Sequence, residues 1–155
     1  MHFSSTFTFN ASPDKVEAML LSPDFAAYCG ERMKQLDSAA SAVATAGDRS
    51  IEVVYTMATP PSYAKFVGAT AKATENLSFG DSHQGQLTMS VAKVPAKLDG
   101  TVVLTGTTTT TATLDGDFAV KIPFVGGKIE ERAVAMLSRM TGSVETFGND
   151  YLASH

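Results

Sequence analysis

Three carboxylates, Glu52, Glu75 and Asp117, stand in stretches otherwise built from apolar residues and threonine. A carboxyl group turned into an enclosed apolar space loses the water that stabilises its charge. Its pKa then rises, and it becomes an acid or base usable near neutral pH. Turned outward, the same group is an ordinary solvated side chain. For Glu52 the phase against Val53 and Tyr55 argues for the outward position. Tyr55, in phase with Ile51, Val53 and Met57, would bring one hydroxyl to an otherwise apolar face. Seven methionines are present. Methionine adapts to irregular shapes and is common on permissive binding surfaces, although ordinary core packing uses it too. Met57 and Met89 on strands, with Met136 and Met140 on the last helix, would line one cavity with Tyr55. Phe66 and Phe124, on loops, would form its mouth.

Other chemistries find no support. His2, His83 and His155 are far apart, and no His-x-x-x-His or Cys-x-x-Cys pair exists, so no metal site is expected. The only cysteine, Cys29, has no histidine near it in sequence and reads as a structural thiol. Val125-Gly126-Gly127-Lys128 has the look of a phosphate loop, but Ile122 stands where the first glycine belongs and Ile129 where Ser or Thr must hold Mg²⁺. It reads as the entry to a helix. Five consecutive threonines, Thr107 to Thr111, suit an exposed hairpin tip. Twelve Lys and Arg against sixteen Asp and Glu give a net charge of −4, which argues against a nucleic-acid partner. No cofactor is implied. The start of the chain has neither a basic segment nor an apolar run of signal-peptide type, and no stretch reaches the length of a membrane span, so a cytoplasmic protein is expected. No feature fixes an oligomeric state.

The elements that must position these residues can be read from period and punctuation. Phe3, Phe7 and Phe9 alternate with polar residues in a strand. Ser12-Pro13-Asp14 opens a short helix, which stops near Ser22-Pro23. A second short helix, weakened by Gly30, covers 24 to about 34. From 36 to 121 the pattern is mostly strand, with segments near 38–45, 51–58, 70–79, 85–93, 96–105 and 109–122 and a loop or helical turn at 62–68. Asp115-Gly116 is read as a glycine bulge within one long strand, because a turn there would leave the last strand without a partner. Ile129, Ala133, Met136, Met140, Val144, Phe147 and Tyr151 recur every three or four residues and predict an amphipathic helix from near Gly127 to near Ala153. The length fits one domain over 1–155. The fold class is α+β, with a seven-stranded antiparallel sheet, two short helices after strand 1 and one long C-terminal helix. A sheet that wide must curl around the helix to be covered, and curling encloses space.

The strand and Ser12-Pro13 helix at the start, and Lys121-Ile122-Pro123-Phe124-Val125-Gly126-Gly127-Lys128-Ile129-Glu130 before the last helix, resemble an actinobacterial family of the START-like superfamily. Its members are also described as polyketide cyclase/dehydrase-like, helix-grip or SRPBCC proteins. The resemblance covers nearly the whole chain. It implies a curved sheet gripping the C-terminal helix and an internal apolar pocket for lipid-like or polycyclic molecules. It implies no catalytic residue, because the superfamily shares none. The leading expectation is therefore binding of a small hydrophobic, lipid- or polyketide-like molecule between sheet and helix. The alternatives are a cyclase or dehydratase acting on a polyketide-like substrate, through a pocket carboxylate or Tyr55, and a protein-interaction module using the sheet surface.

Overall fold

The computed structural model describes residues 1–59, 61, 64–93, 95–121 and 126–155, with the backbone course alone for 66, 67, 126, 127, 129, 132–134 and 136–141. Strand β1 (His2–Phe9) buries Phe3, Phe7 and Phe9 on one face, as its alternation predicts. Helix α1 (Pro13–Leu20) opens on a proline, whose missing N–H leaves nothing unpaired at a helix start, and Asp14 meets the positive end of the dipole. Ser22-Pro23-Asp24 repeats the device at the head of α2 (Pro23–Lys34), where the Ser22 hydroxyl oxygen accepts from the Asp24 N–H at 3.2 Å.

Helix α2 runs unbroken through Gly30, where the sequence predicts a weak point. A Cβ at Gly30 would lie 3.2 Å from the Cβ of Ala42 on β2 (Ser41–Gly47). The glycine thus allows a close approach of helix and strand at this point. The chain continues through β3 (Ser50–Ala58), the short α3 (Ala64–Val67), β4 (Thr70–Phe79), β5 (Gln84–Val91), β6 (Ala96–Gly106), β7 (Thr110–Val120) and α4 (Gly126–Ser154). The strands form one curved antiparallel sheet in the order β1-β7-β6-β5-β4-β3-β2. Residues 122–125, which carry the approach to α4, lie outside the described residues.

At Asp115-Gly116 the expectation needs correction. β7 does pass through both as one strand, but without a bulge. Its register with β6 runs residue for residue, Asp117 opposite Asp99, Gly116 opposite Gly100 and Asp115 opposite Thr101. Two glycines face each other instead. A Cβ at Gly116 would fall 2.6 Å from the Asp99 carbonyl oxygen and 2.9 Å from the Gly100 Cα. Bare backbone on the inner face lets the strands crowd together there, which serves a bent sheet without an inserted residue. The threonine run also divides. Thr107 to Thr109 are exposed at the hairpin tip, whereas Thr110 is fully buried and donates to the Ala11 carbonyl at 2.7 Å.

The described part of α4 lies along β1 and β7, and α2 lies on β2. β1 is an edge strand, and α4 takes up backbone groups at and just beyond its C-terminal end. A Glu145 carboxylate oxygen accepts from the Thr8 N–H at 2.8 Å, the Asn149 carbonyl oxygen accepts from the Asn10 N–H at 2.8 Å, and the Asn149 amide donates to the Thr8 carbonyl at 3.0 Å. Covering an edge in this way removes a template for unwanted strand pairing. The two helices meet through Arg32, which donates to the Tyr28 hydroxyl at 2.8 Å and to Asp150 at 3.0 Å. Its guanidinium carbon stands 4.8 Å from the centre of the Phe147 ring.

Candidate functional site

Between α2, α4 and the concave face of the middle strands lies a cavity of about 240 Å³. Strand alternation supplies one wall. Val53 on β3, Glu75 on β4, Met89 on β5 and Leu98 on β6 are register partners in turn, so their side chains form one row across the sheet. Leu77 and Leu87 form the next row, and Phe3 and Phe7 close the wall from β1. Helix α2 supplies the opposite wall through Phe25, Ala26, Cys29 and Met33, which share a helical stripe. Ser143, Val144 and Phe147 of α4 complete the lining, with Leu36 after α2. Leu36 is 87% exposed, so this end of the cavity meets solvent and marks its mouth.

Among the described lining residues the wall is apolar except where Glu75, Tyr55, Cys29 and Ser143 reach it. Glu75 shares a phase with Ala73, Leu77 and Phe79, which turns it inward. Tyr55 lies two residues beyond Val53 on the same face, diagonal to Glu75, and the two side chains are electrostatic neighbours. Loss of water around the Glu75 carboxyl raises its pKa, and the neighbouring Tyr55 hydroxyl only partly opposes that rise. Burial pushes the Tyr55 phenol well upward too, helped by the neighbouring Glu75 and Cys29. The Cys29 thiol is pushed up to about 12, first by burial, then by Glu75, with Arg32 acting in the opposite sense. Burial thus favours the protonated form of all three groups. Neither Glu52 nor Asp117 joins them, since both are exposed.

Of the residues expected at the cavity, Tyr55 and Met89 line it. Met57 is half-buried one step further along β3 and is not among the described lining residues. Phe124 lies outside the described residues, as do the side chains of Phe66, Met136 and Met140. The wall contributed by α2 was not anticipated. Its signal was present in the spacing of Phe25, Cys29 and Met33, four residues apart on one helix face. No group of three or more His, Cys, Asp or Glu among the described residues is arranged to hold a metal. No described helix is long and apolar enough to cross a membrane.

Several solved structures share this architecture. A START superfamily protein from Mycobacterium smegmatis matches with a TM-score of 0.62 and 16% identity, over 97% of this chain and 98% of that one. Zhui aromatase/cyclase from Streptomyces sp. R1128 matches with a TM-score of 0.66 and 13% identity, over 97% and 92% of the two chains. Norcoclaurine synthase from Thalictrum flavum matches with a TM-score of 0.66 and 13% identity, over 100% and 87%. At such identities the likeness shows the fold alone. No curated protein matches the sequence. The chain has the START-like helix-grip fold, and with a family model matching residues 4–152 it belongs to the family described as "Protein of unknown function (DUF2505)".

Proposed function

We propose that this protein reversibly binds a small, mostly apolar molecule in the cavity between α2, α4 and the sheet. The observation that carries the reading is the cavity itself, about 240 Å³ with a wall apolar but for a few grouped polar side chains. An apolar cavity of about 150 Å³ accepts benzene, so there is room here for a guest of roughly bicyclic size. Each buried methylene would contribute about 0.8 kcal/mol, and ten of them about 8 kcal/mol. That corresponds to a micromolar Kd before the cost of ordering the guest is subtracted. Lipid- and polyketide-like molecules fall within this class. Met57, Met136, Met140, Phe66 and Phe124 belong to the proposal as further members of the wall and mouth.

One observation favours a second reading. A carboxyl group whose burial favours the protonated form, beside a tyrosine and facing a substrate-sized void, is equipped for general acid–base chemistry of the cyclase or dehydratase kind. The interaction-module reading expects a filled core and is less well supported.

The test combines native mass spectrometry with thermal shift. Protein purified from its own host should carry an apolar molecule, and a panel of polycyclic and lipid-like compounds should raise the Tm of emptied protein. Val53→Phe, which narrows the cavity while keeping an apolar side chain, should remove both effects in a protein that still melts cooperatively. An empty protein that no compound stabilises overturns the binding reading.

A further inference from the structure

Resting on that binding reading, we infer that the guest is uncharged and presents one acceptor oxygen, such as a ketone or ester carbonyl, to the Tyr55–Glu75 pair, and that carboxylic acids are excluded. A neutral carboxyl group carries one O–H and a tyrosine carries another. A bond between Glu75 and Tyr55 would use one of the two, whichever side donated. At least one O–H is then left at the wall of the cavity, where the other polar side chains among the described lining residues are the Ser143 hydroxyl and the Cys29 thiol.

The charge state follows from what the wall lacks. Among the described lining residues there is no Lys, Arg or His. An ionised Glu75 would be a buried charge without a cation, which costs far more than keeping the proton. The upward shift of its pKa agrees with this. A guest carboxylate would add a second uncompensated anion beside it. A guest amine would draw the proton from Glu75 and form a buried ion pair, with both ions stripped of water and little else to satisfy them. A carbonyl oxygen avoids both costs and uses the remaining O–H. A hydrocarbon of the same size fits the walls but leaves that donor unused, which is the penalty that gives polar sites their selectivity.

The experiment uses four probes on one skeleton: 2-acetylnaphthalene, 2-ethylnaphthalene, 2-naphthoate and 2-naphthylmethylamine. Each is titrated into the full-length protein, with Kd measured by fluorescence. The ketone should bind up to about tenfold more tightly than the ethyl analogue, the value of one net hydrogen bond. The acid and the amine should bind more weakly than the ethyl analogue. In the double variant Glu75→Met/Tyr55→Phe, which removes both donors, the ketone's advantage should vanish while the ethyl analogue still binds. If the ethyl analogue binds and the ketone is no better, or if the acid or amine binds best, the inference fails and the binding reading stands. If none of the four binds, both fail. The ranking on the unmodified protein decides the matter even if the variant does not fold.

Discussion

At the scale of single residues, the protein places its least expected group, Glu75, where it is hardest to ionise. The carboxyl sits between Val53 and Met89 in the cross-strand row, diagonal to Tyr55. Its folded-state pKa is raised, so the direction of the pH effect is fixed. Near pH 4 and below, the folded and unfolded chains both hold the proton and the group is neutral to stability. As pH rises past the ordinary carboxylate value of about 4.3, the unfolded chain releases its proton first. The folded chain then binds more protons than the unfolded one, and stability falls until pH passes the folded pKa. Tyr55 from β3 and Cys29 from α2, which face Glu75, both keep their protons through this window and do not blur it. Glu75→Gln should therefore match the wild type at pH 4 and melt at a higher temperature at pH 8. A difference of 1 kcal/mol would appear as about 2–4 °C in a chain of this size. Parallel melting curves across the pH range would mean that Glu75 is ionised in the folded protein. Much of this residue scale was legible beforehand, because period two assigns Tyr55, Met89 and, through Leu77 and Phe79, Glu75 to the inner face. That Glu75 would neighbour Tyr55 was not legible, since their diagonal relation depends on the register of β3 against β4.

At the scale of elements, Gly142 and Gly148 of α4 have opposite roles. At exposed Gly142 an added Cβ would meet nothing within 4 Å. At Gly148 it would lie 2.4 Å from the Phe9 ring and 3.2 Å from the Met19 terminal methyl. Phe9 is fully buried and has nowhere to retreat. Gly142→Ala should gain about 0.5–1 kcal/mol, because alanine restricts the unfolded chain and suits a helix interior. Gly148→Ala should lose about 1–3 kcal/mol, since overpacking outweighs that gain. Urea denaturation of the two variants would separate them, and changes of the same sign would show that α4 does not seat on β1 as described. Existence and type of the elements followed closely from sequence, because alternation, Ser-Pro pairs and the apolar stripe are local signals. The two misreadings, a weak point at Gly30 and a bulge at Gly116, share one cause. Each glycine answers to a partner from a distant strand, Ala42 or Gly100, and nothing beside it in sequence names that partner.

At the scale of the whole molecule, the cavity exists because two helices divide the sheet between them. α4 holds the β1 edge and α2 holds β2, which leaves the middle strands as the floor of the void. A long closing helix and a wide sheet were enough to expect enclosed space, but the share taken by α2 needed the topology. The link between the helices is narrow. Arg32 reaches across to Asp150 at 3.0 Å while lying over Phe147, and Phe25 and Tyr28 both pack edge-on against Tyr151. Surface ion pairs of this kind add little to global stability, so the contact is better placed to set how often α2 lifts than whether the protein folds. Arg32→Met keeps an apolar stem over Phe147 and removes the charge. Native-state hydrogen exchange should then be severalfold faster at the amides of α2, with β6 and β7 unchanged. Because Phe25, Ala26, Cys29 and Met33 on α2 form one wall of the cavity, apolar probes should enter and leave faster with little change in Kd. If α2 exchanges at the wild-type rate, the aromatic contacts alone hold the helices together and guest access must depend on another element.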